Sequence, residues 1–432
     1  MSQRVVVIGG GIAGIQASLD LADMGYEVHL VERSPSIGGR MAQLDKTFPT
    51  NDCSMCILSP KMIMCSGHEN VRLHTYSEVE SVSGEFPHLK VKIKEKARRI
   101  DINRCTGCGD CIAKCPVKVP NEFEEKLSTR KAVYLQFPQA VPRKATIDAE
   151  HCRMVTQGKC GICKKVCQAG AVDYEQKDKL VDVDASAIIV ATGFDLSDAS
   201  VLSQYGLGTC KDVVTSLQLE RLLSASGPTN GQLIRPSDGT EVKKLAFVQC
   251  VGSRDEKYHP YCSSVCCMYA TKESILVREH VPDINSTIFY MDMRATGKNF
   301  QEFVSRAEKN YGVRYVRSRP AKVQSSKDGK GILLTYETRG LAGEQVTEEF
   351  DMLVLCPALV PSKGAAHLAK LLKLDLDDDQ FLKCVDLRHP VDSSRKGVLL
   401  CGFAGAPMDI PESVSQASGV AARVAELLEG GV

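Results

Sequence analysis

Cysteine is the most unusual feature of this sequence, because 19 of the 432 residues are cysteines and most of them stand in tight groups. In a short secreted chain such groups would indicate disulfides. This chain is long enough to build a large core of its own. Its first three residues lead into an apolar run without the three regions of a signal peptide. We therefore expect metal or redox chemistry in a reducing compartment, and we predict a cytoplasmic location.

Two cysteine runs have the spacing that surrounds an iron–sulfur cluster. The first run consists of Cys105, Cys108, Cys111 and Cys115, followed by Pro116. The second run consists of Cys152, Cys160, Cys163 and Cys167, with a longer first gap. Soft thiolates at this spacing enclose a [4Fe–4S] cluster from several corners, as in bacterial ferredoxins. A pair of zinc sites is the alternative, but zinc rarely uses four cysteines in so compact a run followed by proline.

In two-cluster ferredoxins the fourth cysteine of each run reaches the other cluster. This exchange rule predicts that the first cluster is held by Cys105, Cys108, Cys111 and Cys167. It predicts that the second cluster is held by Cys115, Cys152, Cys160 and Cys163.

Four further cysteines have a spacing that matches no general motif: Cys250, Cys262, Cys266 and Cys267. On a helix, Cys262 and Cys266 would lie one turn apart with Cys267 beside them. Thiolates gathered near one strand end would hold a third [4Fe–4S] cluster. Buried apolar cysteines are an equal alternative.

Cys53 and Cys56 form a CxxC pair, which could exchange electrons with a flavin as a redox dithiol. Cluster ligands or structural cysteines are the alternatives. The remaining cysteines are predicted to be buried by packing: Cys65, Cys210, Cys356, Cys384 and Cys401. The lone histidines without ligand spacing are interpreted as structural: His68, His74 and His259.

A nucleotide-binding fingerprint opens the chain. Gly9, Gly11 and Gly14 form GxGxxG between the β-branched run 4–8 and a stretch with helical apolar spacing. The glycines permit a tight turn, close approach of a pyrophosphate and close helix–strand packing, and the helix N-terminus favours negative charge. Glu32 ends the second predicted strand, where a carboxylate binds a ribose hydroxyl and disfavours a 2′-phosphate.

Two shorter motifs resemble those of flavoproteins with two dinucleotide-binding domains. Residues 38–40 (GGR) follow the second strand as a GG motif, and residues 191–193 (ATG) follow an apolar strand as an ATG motif. By that resemblance the bound nucleotide is FAD. The predicted FAD-binding residues are Gly9, Gly11, Ala13, Gly14, Glu32, Arg33, Gly39, Arg40, Ala191, Thr192, Gly193, Gly402, Gln416 and Ala417. Gln416 and Ala417 are placed at the start of the last helix, where ordinary helix packing is the alternative.

The elements around these residues alternate between strand and helix, which predicts an α/β fold with parallel sheets. The strands are 4–8, 27–31, 89–93, 180–192, 245–251, 287–291, 314–317, 332–337, 352–355 and 397–400. The helices are 15–24, 264–280, 300–311 and a final helix of about a dozen residues that ends at Leu428. The second α/β unit has only one glycine in its first turn, residues 249–254 (QCVGSR), which argues against nicotinamide binding there.

We predict five segments. Three of them, 1–96, 179–240 and 351–432, form the FAD-binding domain. Residues 97–178 form a ferredoxin-like insert, and residues 241–350 form a second nucleotide-binding-like domain.

With 25% charged residues and a net charge of +1, the composition gives no reason to expect nucleic acid or an anionic membrane as partner. The longest apolar runs are strand-sized, so no transmembrane segment is predicted.

The chain resembles the A-type component of heterodisulfide reductase. The resemblance rests on the FAD fingerprint, the paired cysteine runs and three further stretches, 49–62 (PTNDCSMCILSPKM), 224–239 (SASGPTNGQLIRPSDG) and 248–270. It implies the fold of a thioredoxin-reductase-like flavoprotein with an inserted two-cluster ferredoxin domain. It also implies a third [4Fe–4S] cluster held by the four cysteines from Cys250 to Cys267. Short members of this kind resemble subunits of bacterial complexes, including the one attached to tungsten-dependent benzoyl-CoA reductase.

The function implied by this resemblance is electron transfer within a larger oxidoreductase complex, through FAD and [4Fe–4S] clusters. In several family members the flavin splits electron pairs between two acceptors, so electron bifurcation is implied as well. The implied partners are components similar to the B-type and C-type components of heterodisulfide reductase, hydrogenase, formate dehydrogenase or benzoyl-CoA reductase. The alternative is an NAD(P)H-dependent disulfide oxidoreductase that uses the Cys53/Cys56 pair.

Overall fold

The computed structural model describes residues 3–327, 329–338 and 343–430. The chain divides into two compact units. The first comprises Met1–Ala42, Cys56–Phe194 and Pro361–Val432, and the second comprises Gln43–Met55 and Asp195–Val360. The five-part division expected from the sequence is finer than this and stays a prediction.

The described helices are Ile12–Asp23, Ser54–Gly67, Asp110–Lys114, Arg153–Gln157, Ile162–Val166, Ser216–Leu223, Cys266–His280, Phe300–Tyr311, Ala365–Leu372 and Ile410–Glu429. Short 3-10 helices lie at Gly39–Gln43, Ala199–Val201, Ser203–Tyr205 and Gly402–Ala404. The strands are Arg4–Ile8, Glu27–Glu32, Val71–Thr75, Ser77–Glu85, His88–Glu95, Lys118–Pro120, Thr129–Lys131, Val133–Tyr134, Thr146–Ile147, Lys179–Ala185, Ala187–Val190, Phe194–Leu196, Val213–Thr215, Lys244–Val251, Asn285–Tyr290, Arg314–Arg317, Lys322–Ser325, Ile332–Glu337, Gln345–Phe350, Met352–Pro357, Leu359–Pro361, Cys384–Asp386, His389–Ser393 and Val398–Leu400.

A seven-stranded sheet forms the centre of the first unit. Its strand order is 384–386, 389–393, 398–400, 187–190, 4–8, 27–32 and 71–75. The five strands from 398–400 to 71–75 are parallel, as the strand–helix alternation predicts. Arg4–Ile8 is the middle one of these five parallel strands. Four of its five residues are buried, and β-branched residues suit a strand that is covered on both faces. The carboxyl end of this strand therefore opens at the centre of the sheet edge.

The predicted strand 180–192 is divided between two sheets. Lys179–Ala185 pairs antiparallel with His88–Glu95 in a three-stranded sheet, whereas Ala187–Val190 joins the parallel sheet. Ser186 lies between them, and its N–H donates to the Arg4 carbonyl at 2.7 Å. The strand His88–Glu95 alternates as expected, with Leu89, Val91 and Ile93 buried and lysines on its other face.

The cysteine-rich stretch of the first unit contains short helices and two-stranded pairs rather than long elements. Its core combines apolar side chains with thiols: Ile100, Cys111, Cys115, Ala132, Val133, Ala145, Ile147, Cys152, Cys163, Ala171, Val172 and Tyr174. Four of the eight predicted cluster ligands, Cys111, Cys115, Cys152 and Cys163, are therefore buried inside the stretch.

The second unit has a five-stranded parallel sheet in the order 213–215, 352–357, 244–251, 285–290 and 314–317. A three-stranded antiparallel sheet, 322–325, 332–337 and 345–350, completes the unit. The parallel arrangement is the one that the strand–helix alternation predicts. Lys244–Val251 is the middle strand, so the turn that follows it lies where open α/β sheets bind ligands.

Two helix predictions were wrong. The last helix is Ile410–Glu429, with 20 residues, because Asp409 and Glu412 form a capping box at its start. The helix that was expected from residue 264 begins at Cys266, because Ser264 has a left-handed φ of 68° that no helix accommodates. Cys262 therefore lies in the preceding loop, and the expected one-turn spacing from Cys262 to Cys266 does not exist.

Candidate cofactor and cluster sites

Two glycines of the glycine-rich turn, Gly9 and Gly14, are packed so closely that no side chain would fit at their positions. A Cβ on Gly14 would lie 1.9 Å from the Gly9 carbonyl oxygen, and one on Gly9 would lie 2.3 Å from the Ala191 oxygen. Gly11 has open space in front of it and begins the helix Ile12–Asp23, which has no acidic residue in its first turn. The turn thus presents helical N–H groups to open space, as pyrophosphate binding requires.

Glu32 is buried and already binds backbone within this turn. One carboxylate oxygen accepts the Gly10 N–H at 2.8 Å, and the other accepts the Ser34 N–H at 2.7 Å. A carboxylate has about four acceptor positions, so a ribose hydroxyl can still bind. Glu32 therefore shapes the turn as well as offering an acceptor for a ribose.

The GG and ATG motifs lie against the same turn. A Cβ on Gly39 would lie 2.8 Å from the Gly11 Cα, so the GG motif packs on the fingerprint. Gly193 has a left-handed φ of 65°, and the neighbouring Thr192 hydroxyl is buried without a hydrogen-bond partner. A buried hydroxyl in this state needs a partner, and a phosphate or ribose oxygen would supply one. The unpartnered Thr192 hydroxyl therefore fits a site that binds a dinucleotide.

The other predicted FAD residues are engaged within the protein. Arg33 donates to the Lys363 carbonyl at 2.7 Å, and Arg40 forms an ion pair with Glu125 at 3.0 Å. The remaining ones lie near the turn: Ala13, Gly402, Gln416 and Ala417.

Gly402 connects the end of the last strand to the fingerprint and to the last helix. A Cβ there would lie 2.9 Å from the Ala13 Cβ, and the Gly402 N–H donates to the Gln416 side-chain oxygen at 2.7 Å. Ala417 is fully buried. Both Gln416 and Ala417 lie two turns inside the helix, so their predicted position at its start was wrong.

A cavity of about 160 Å³ lies within the cysteine-rich stretch. The four cysteines that line it are Cys105, Cys108, Cys111 and Cys167. This is the set that the exchange rule assigns to one cluster, and Cys115 is not among the lining residues. Burial raises the pKa of the Cys111 thiol to about 12, and negative charge on nearby thiolates contributes to the rise. The Ala171 N–H lies 3.3 Å from the Cys167 sulfur, so backbone already donates to one of these thiols.

The second set of cysteines gathers around Cys163. Burial raises the pKa of its thiol, and charge on Cys152 and Cys115 adds to this rise. Cys115 therefore lies close to a cysteine of the second run, as the exchange rule predicts. The Tyr174 hydroxyl lies 2.9 Å from the Cys163 sulfur and opposes the rise in pKa. The fourth predicted member, Cys160, is exposed.

Within the part of the chain that the structure describes, no group of three or more His, Cys, Asp or Glu side chains is arranged to hold a metal ion. A [4Fe–4S] cluster spreads its four ligands over four irons, so the cluster assignments stay predictions.

In the second unit, Cys250, Cys266 and Cys267 come together at the carboxyl end of the middle strand. A hydrogen bond from Cys266, helped by the positive charge of Arg254, lowers the pKa of Cys250 to about 7 against the effect of burial. Hydrogen bonds to both neighbours hold the pKa of Cys266 well above its usual value. The Arg294 N–H lies 3.4 Å from the Cys267 sulfur.

Cys262 stands apart in the contacts that the structure describes. Its sulfur accepts the Ser264 N–H at 3.4 Å. Cys356, which was expected to have no partner, is instead a neighbour of the group, because its buried thiol interacts electrostatically with Cys250 and Cys267. The sequence held a signal for this, since Cys250 lies near the end of the predicted strand 245–251 and Cys356 directly follows the predicted strand 352–355.

Arg254 and Asp292 form a bidentate ion pair beside this group. In a dinucleotide-binding unit, the turn after the first strand holds the pyrophosphate and an acid after the second strand binds ribose. Here Cys250 lies at the carboxyl end of the first strand, next to that turn, and the acid after the second strand, Asp292, is engaged by Arg254. The arrangement gathers thiols at the place where a nicotinamide dinucleotide would bind.

Cys53 and Cys56 are both exposed, and Cys56 lies in the first turn of the helix Ser54–Gly67. The structure thus leaves both thiols accessible.

Two residues next to these candidate sites had no signal of their own in the sequence. Tyr174 lies 11 positions after Cys163, and Thr192 was selected only as part of a motif, not for its unpartnered hydroxyl.

None of the described helices combines the length and the apolar character that crossing a bilayer requires.

Comparison with known proteins finds one matching family model and several similar relatives. Residues 4–53 match the family model of FAD dependent oxidoreductases. The chain is 48% identical over 428 residues to the A-type component of "H(2):CoB-CoM heterodisulfide,ferredoxin reductase" from Methanothermobacter marburgensis, covering 98% of this chain and 64% of the relative. It is 42% identical over 472 residues to a protein of Archaeoglobus profundus named as similar to the A-type component of heterodisulfide reductase, covering 100% of this chain and 67% of the relative. The chain thus spans slightly under two thirds of the length of most relatives it matches.

The fold is similar to that of thioredoxin reductases. The structures from T. acidophilum and Lactococcus lactis each match with a TM-score of 0.54 at 14% identity, covering 100% and 99% of this chain and 100% of theirs. At this identity the similarity concerns the fold alone. It confirms the predicted α/β class with two dinucleotide-binding-like units, whereas the ferredoxin-like character of the insert stays a prediction.

Proposed function

Because the chain belongs to the family of A-type heterodisulfide reductase components, we propose that it is an oxidoreductase component that carries electrons between FAD and [4Fe–4S] clusters. The observation that carries the proposal is the cavity lined by Cys105, Cys108, Cys111 and Cys167. Three of these cysteines belong to one run and the fourth to the other, which is the ligand exchange of two-cluster ferredoxins. Neither buried packing nor a pair of zinc sites would require this exchange.

The FAD site of the proposal is the glycine-rich turn with its flanking motifs. When bound, FAD supplies two-electron chemistry and the clusters supply one-electron steps. The protein's own part is to bind and orient. The N–H groups at the start of Ile12–Asp23 would bind the pyrophosphate, Glu32 holds the turn in shape, and the unpartnered Thr192 hydroxyl would donate to the nucleotide.

The two cluster sites of the insert are supported by donors that already point at sulfur. The Ala171 N–H serves Cys167, and the Tyr174 hydroxyl serves Cys163. Hydrogen bonds to cluster sulfurs and solvent exposure set reduction potentials. The buried Cys111 and Cys163 thus belong to shielded parts of the sites, and the exposed Cys108 and Cys160 to their solvent sides.

The third cluster is proposed at the thiol group of the second unit. Cys250, Cys266 and Cys267 supply three ligands, and Cys262 is the fourth that the family resemblance implies. The lowered pKa values of Cys250 and Cys267 support this role, because a cluster is held by thiolates.

The proposal places the chain in the cytoplasm as one member of an electron-transfer complex. Its partners would be components such as the B-type and C-type components of heterodisulfide reductase, hydrogenase, formate dehydrogenase or benzoyl-CoA reductase. Electron bifurcation at the flavin belongs to the same proposal. It rests on the family alone, since flavin potentials are not a property that the fold displays.

The test is anaerobic purification followed by iron, sulfide and flavin analysis of variants. Two clusters predict about eight irons per chain and three predict about twelve. Because Cys111 and Cys167 serve one cluster, the single variants C111A and C167A and their double variant should all lose the same set of about four irons. The double variant C111A/C115A spans two clusters and should lose about eight. The control C384A should lose none.

Colourless protein, or zinc in place of iron, would contradict the proposal. Greater iron loss in C111A/C167A than in either single variant would refute the ligand exchange while leaving the clusters in place.

The exposure of both Cys53 and Cys56 favours one alternative, a disulfide oxidoreductase. It predicts that the isolated chain oxidises NADH or NADPH with a disulfide acceptor and that C53S abolishes this activity. The buried thiols of Cys250, Cys266 and Cys267 beside the second unit's nucleotide turn argue against it.

A further inference from the structure

We propose that Gln249 is a positioning residue of the third cluster site, and that its side-chain amide donates a hydrogen bond to the Cys267 sulfur when that sulfur is a cluster ligand. The inference deepens the proposed function and rests on it, since it needs the third cluster. It assigns to one buried amide a part in setting the reduction potential of that cluster.

Burial of an incompletely bonded amide is the first observation. Gln249 is 3% exposed and lies in the strand Lys244–Val251, in which every residue after Lys244 is buried. Its side-chain oxygen accepts the Cys267 thiol at 3.5 Å. Its side-chain nitrogen has no hydrogen-bond partner among the residues that the structure describes. A buried N–H group without a partner costs free energy, so this site favours a bound group that can accept from it.

The backbone of the strand is the second observation. In a regular strand, neighbouring side chains point to opposite faces. Here Cys250 has a left-handed φ of 57°, and the strand pairing shifts in register between Val248 and Val251. Cys250 consequently packs in the same core cluster as Cys267, the residue that Gln249 contacts. The irregularity thus brings an amide and a thiol that are adjacent in sequence to one group of cysteines, and such irregularities often lie beside functional sites.

The surroundings of the Cys267 sulfur are the third observation. The sulfur faces two oxygens, from the Gln249 side chain at 3.5 Å and the Asp292 carbonyl at 3.8 Å, and one donor, the Arg294 N–H at 3.4 Å. Both oxygens suit a neutral thiol, which donates its hydrogen. A cluster ligand is a thiolate, which has no hydrogen to donate and is repelled by oxygen.

The Gln249 amide can respond to this change, whereas the Asp292 carbonyl belongs to the backbone. Half a rotation about the last side-chain bond exchanges the amide oxygen and nitrogen at little cost in space. The N–H group that has no described partner then faces the sulfur. A donor beside a ligand stabilises the reduced form of a cluster, which carries one more negative charge, more than the oxidised form. Gln249 should therefore raise the reduction potential of the third cluster.

The first measurement is an anaerobic redox titration of the holoprotein followed by EPR spectroscopy. The signal of the third cluster is the one that C266A removes and that C111A/C115A retains. The signals of the other two clusters serve as internal references in every variant.

The variant Q249M keeps the size of the side chain and removes its donors. At a fixed applied potential it should lower the ratio of reduced to oxidised third cluster by about three- to tenfold, which is about 30–60 mV for one electron. The control S286A removes another buried polar group without a described partner, at the position on the neighbouring strand that pairs with Leu245. It should keep the wild-type ratio.

The second measurement is HYSCORE EPR spectroscopy of wild-type protein that carries nitrogen-15 in its glutamine side-chain amides. A nitrogen-15 coupling should appear on the signal of the third cluster, because the amide donates directly to a ligand sulfur. Q249M should lose this coupling. A merely structural role of Gln249 would not produce it, and the wild-type spectrum decides the matter even if Q249M loses iron or fails to fold.

An unchanged ratio in Q249M at full iron content would overturn the inference, as would the absence of the coupling in wild type. An equal loss in S286A would also overturn it, since the effect would not come from the donors of Gln249. Failure of the proposed function is distinguishable, because it would appear as absence of clusters in the wild type. A wild type with about eight irons and no third signal would overturn this inference and the third cluster together, while leaving the other two clusters in place.

Discussion

The hydrogen bond between Tyr174 and Cys163 allows a quantitative prediction about the proposed second cluster. The hydroxyl lies 2.9 Å from the sulfur, and Tyr174 is only 9% exposed. Burial raises the pKa of the Tyr174 phenol, so it remains protonated at neutral pH and donates to the thiolate. Removing the donor in Y174F should therefore lower the reduction potential of this cluster, because the reduced, more negative form loses more stabilisation than the oxidised form.

The size of the change follows from the strength of such bonds. A hydrogen bond to a charged group contributes about 1.5–3 kcal/mol net, and only the part that differs between the two oxidation states shifts the potential. If that part is about 0.5–1.5 kcal/mol, the potential falls by about 20–60 mV, since about 59 mV corresponds to about 1.4 kcal/mol for one electron.

The assay is an anaerobic redox titration followed by EPR spectroscopy, which resolves the clusters by their signals. Y134F is the matched control, since it removes the same atom from a tyrosine of the same stretch whose ring stacks on Arg130 at 4.0 Å. An unchanged potential in Y174F with full iron content would refute the reasoning. An equal shift in Y134F would show that the effect is not specific to the bond.

Three further predictions concern stability and the nucleotide site. E32Q keeps one carbonyl acceptor for two backbone N–H groups, so it should lose about 1.5–3 kcal/mol in urea unfolding and bind less flavin per chain. K272M leaves the carboxylate of Glu220 buried without its cation; it should lose about 3–5 kcal/mol in the same assay, whereas K243M at an exposed position should lose almost nothing. Burial holds the pKa of His29 at about 4, below its usual 6.5; its contribution is present above about pH 6.5 and is lost as pH falls towards about 4, at most about 3 kcal/mol. Urea unfolding at about pH 7.5 and about pH 5 should show this fall, and H29F should reduce it; a pH dependence unchanged by H29F would contradict the assignment.

Much of the framework was predictable from the sequence. The parallel sheets followed from apolar runs alternating with helical periodicity, and the glycine-rich turn followed from GxGxxG between a strand and a helix. These are local patterns, in which backbone sterics and one buried face decide the outcome within a few residues. The errors were also local. Apolar periodicity placed a helix start at residue 264, but the left-handed Ser264 delays that start to Cys266. The capping box of Asp409 and Glu412 marks the start of the last helix, which the sequence interpretation made too short.

What the sequence by itself determined is the kind of chemistry: thiolates at ferredoxin spacing, and a turn built from glycines for a dinucleotide. What only the tertiary structure decided is which distant residues complete each site. Cys167 lines the cavity of the first run, the Tyr174 hydroxyl reaches Cys163, and Cys356 lies near Cys250. The physical reason is that local spacing controls contacts only within about one helical turn or one strand pair. Contacts between residues tens or hundreds of positions apart depend on how the elements pack, and in this protein those contacts select the candidate ligands and the donors beside them.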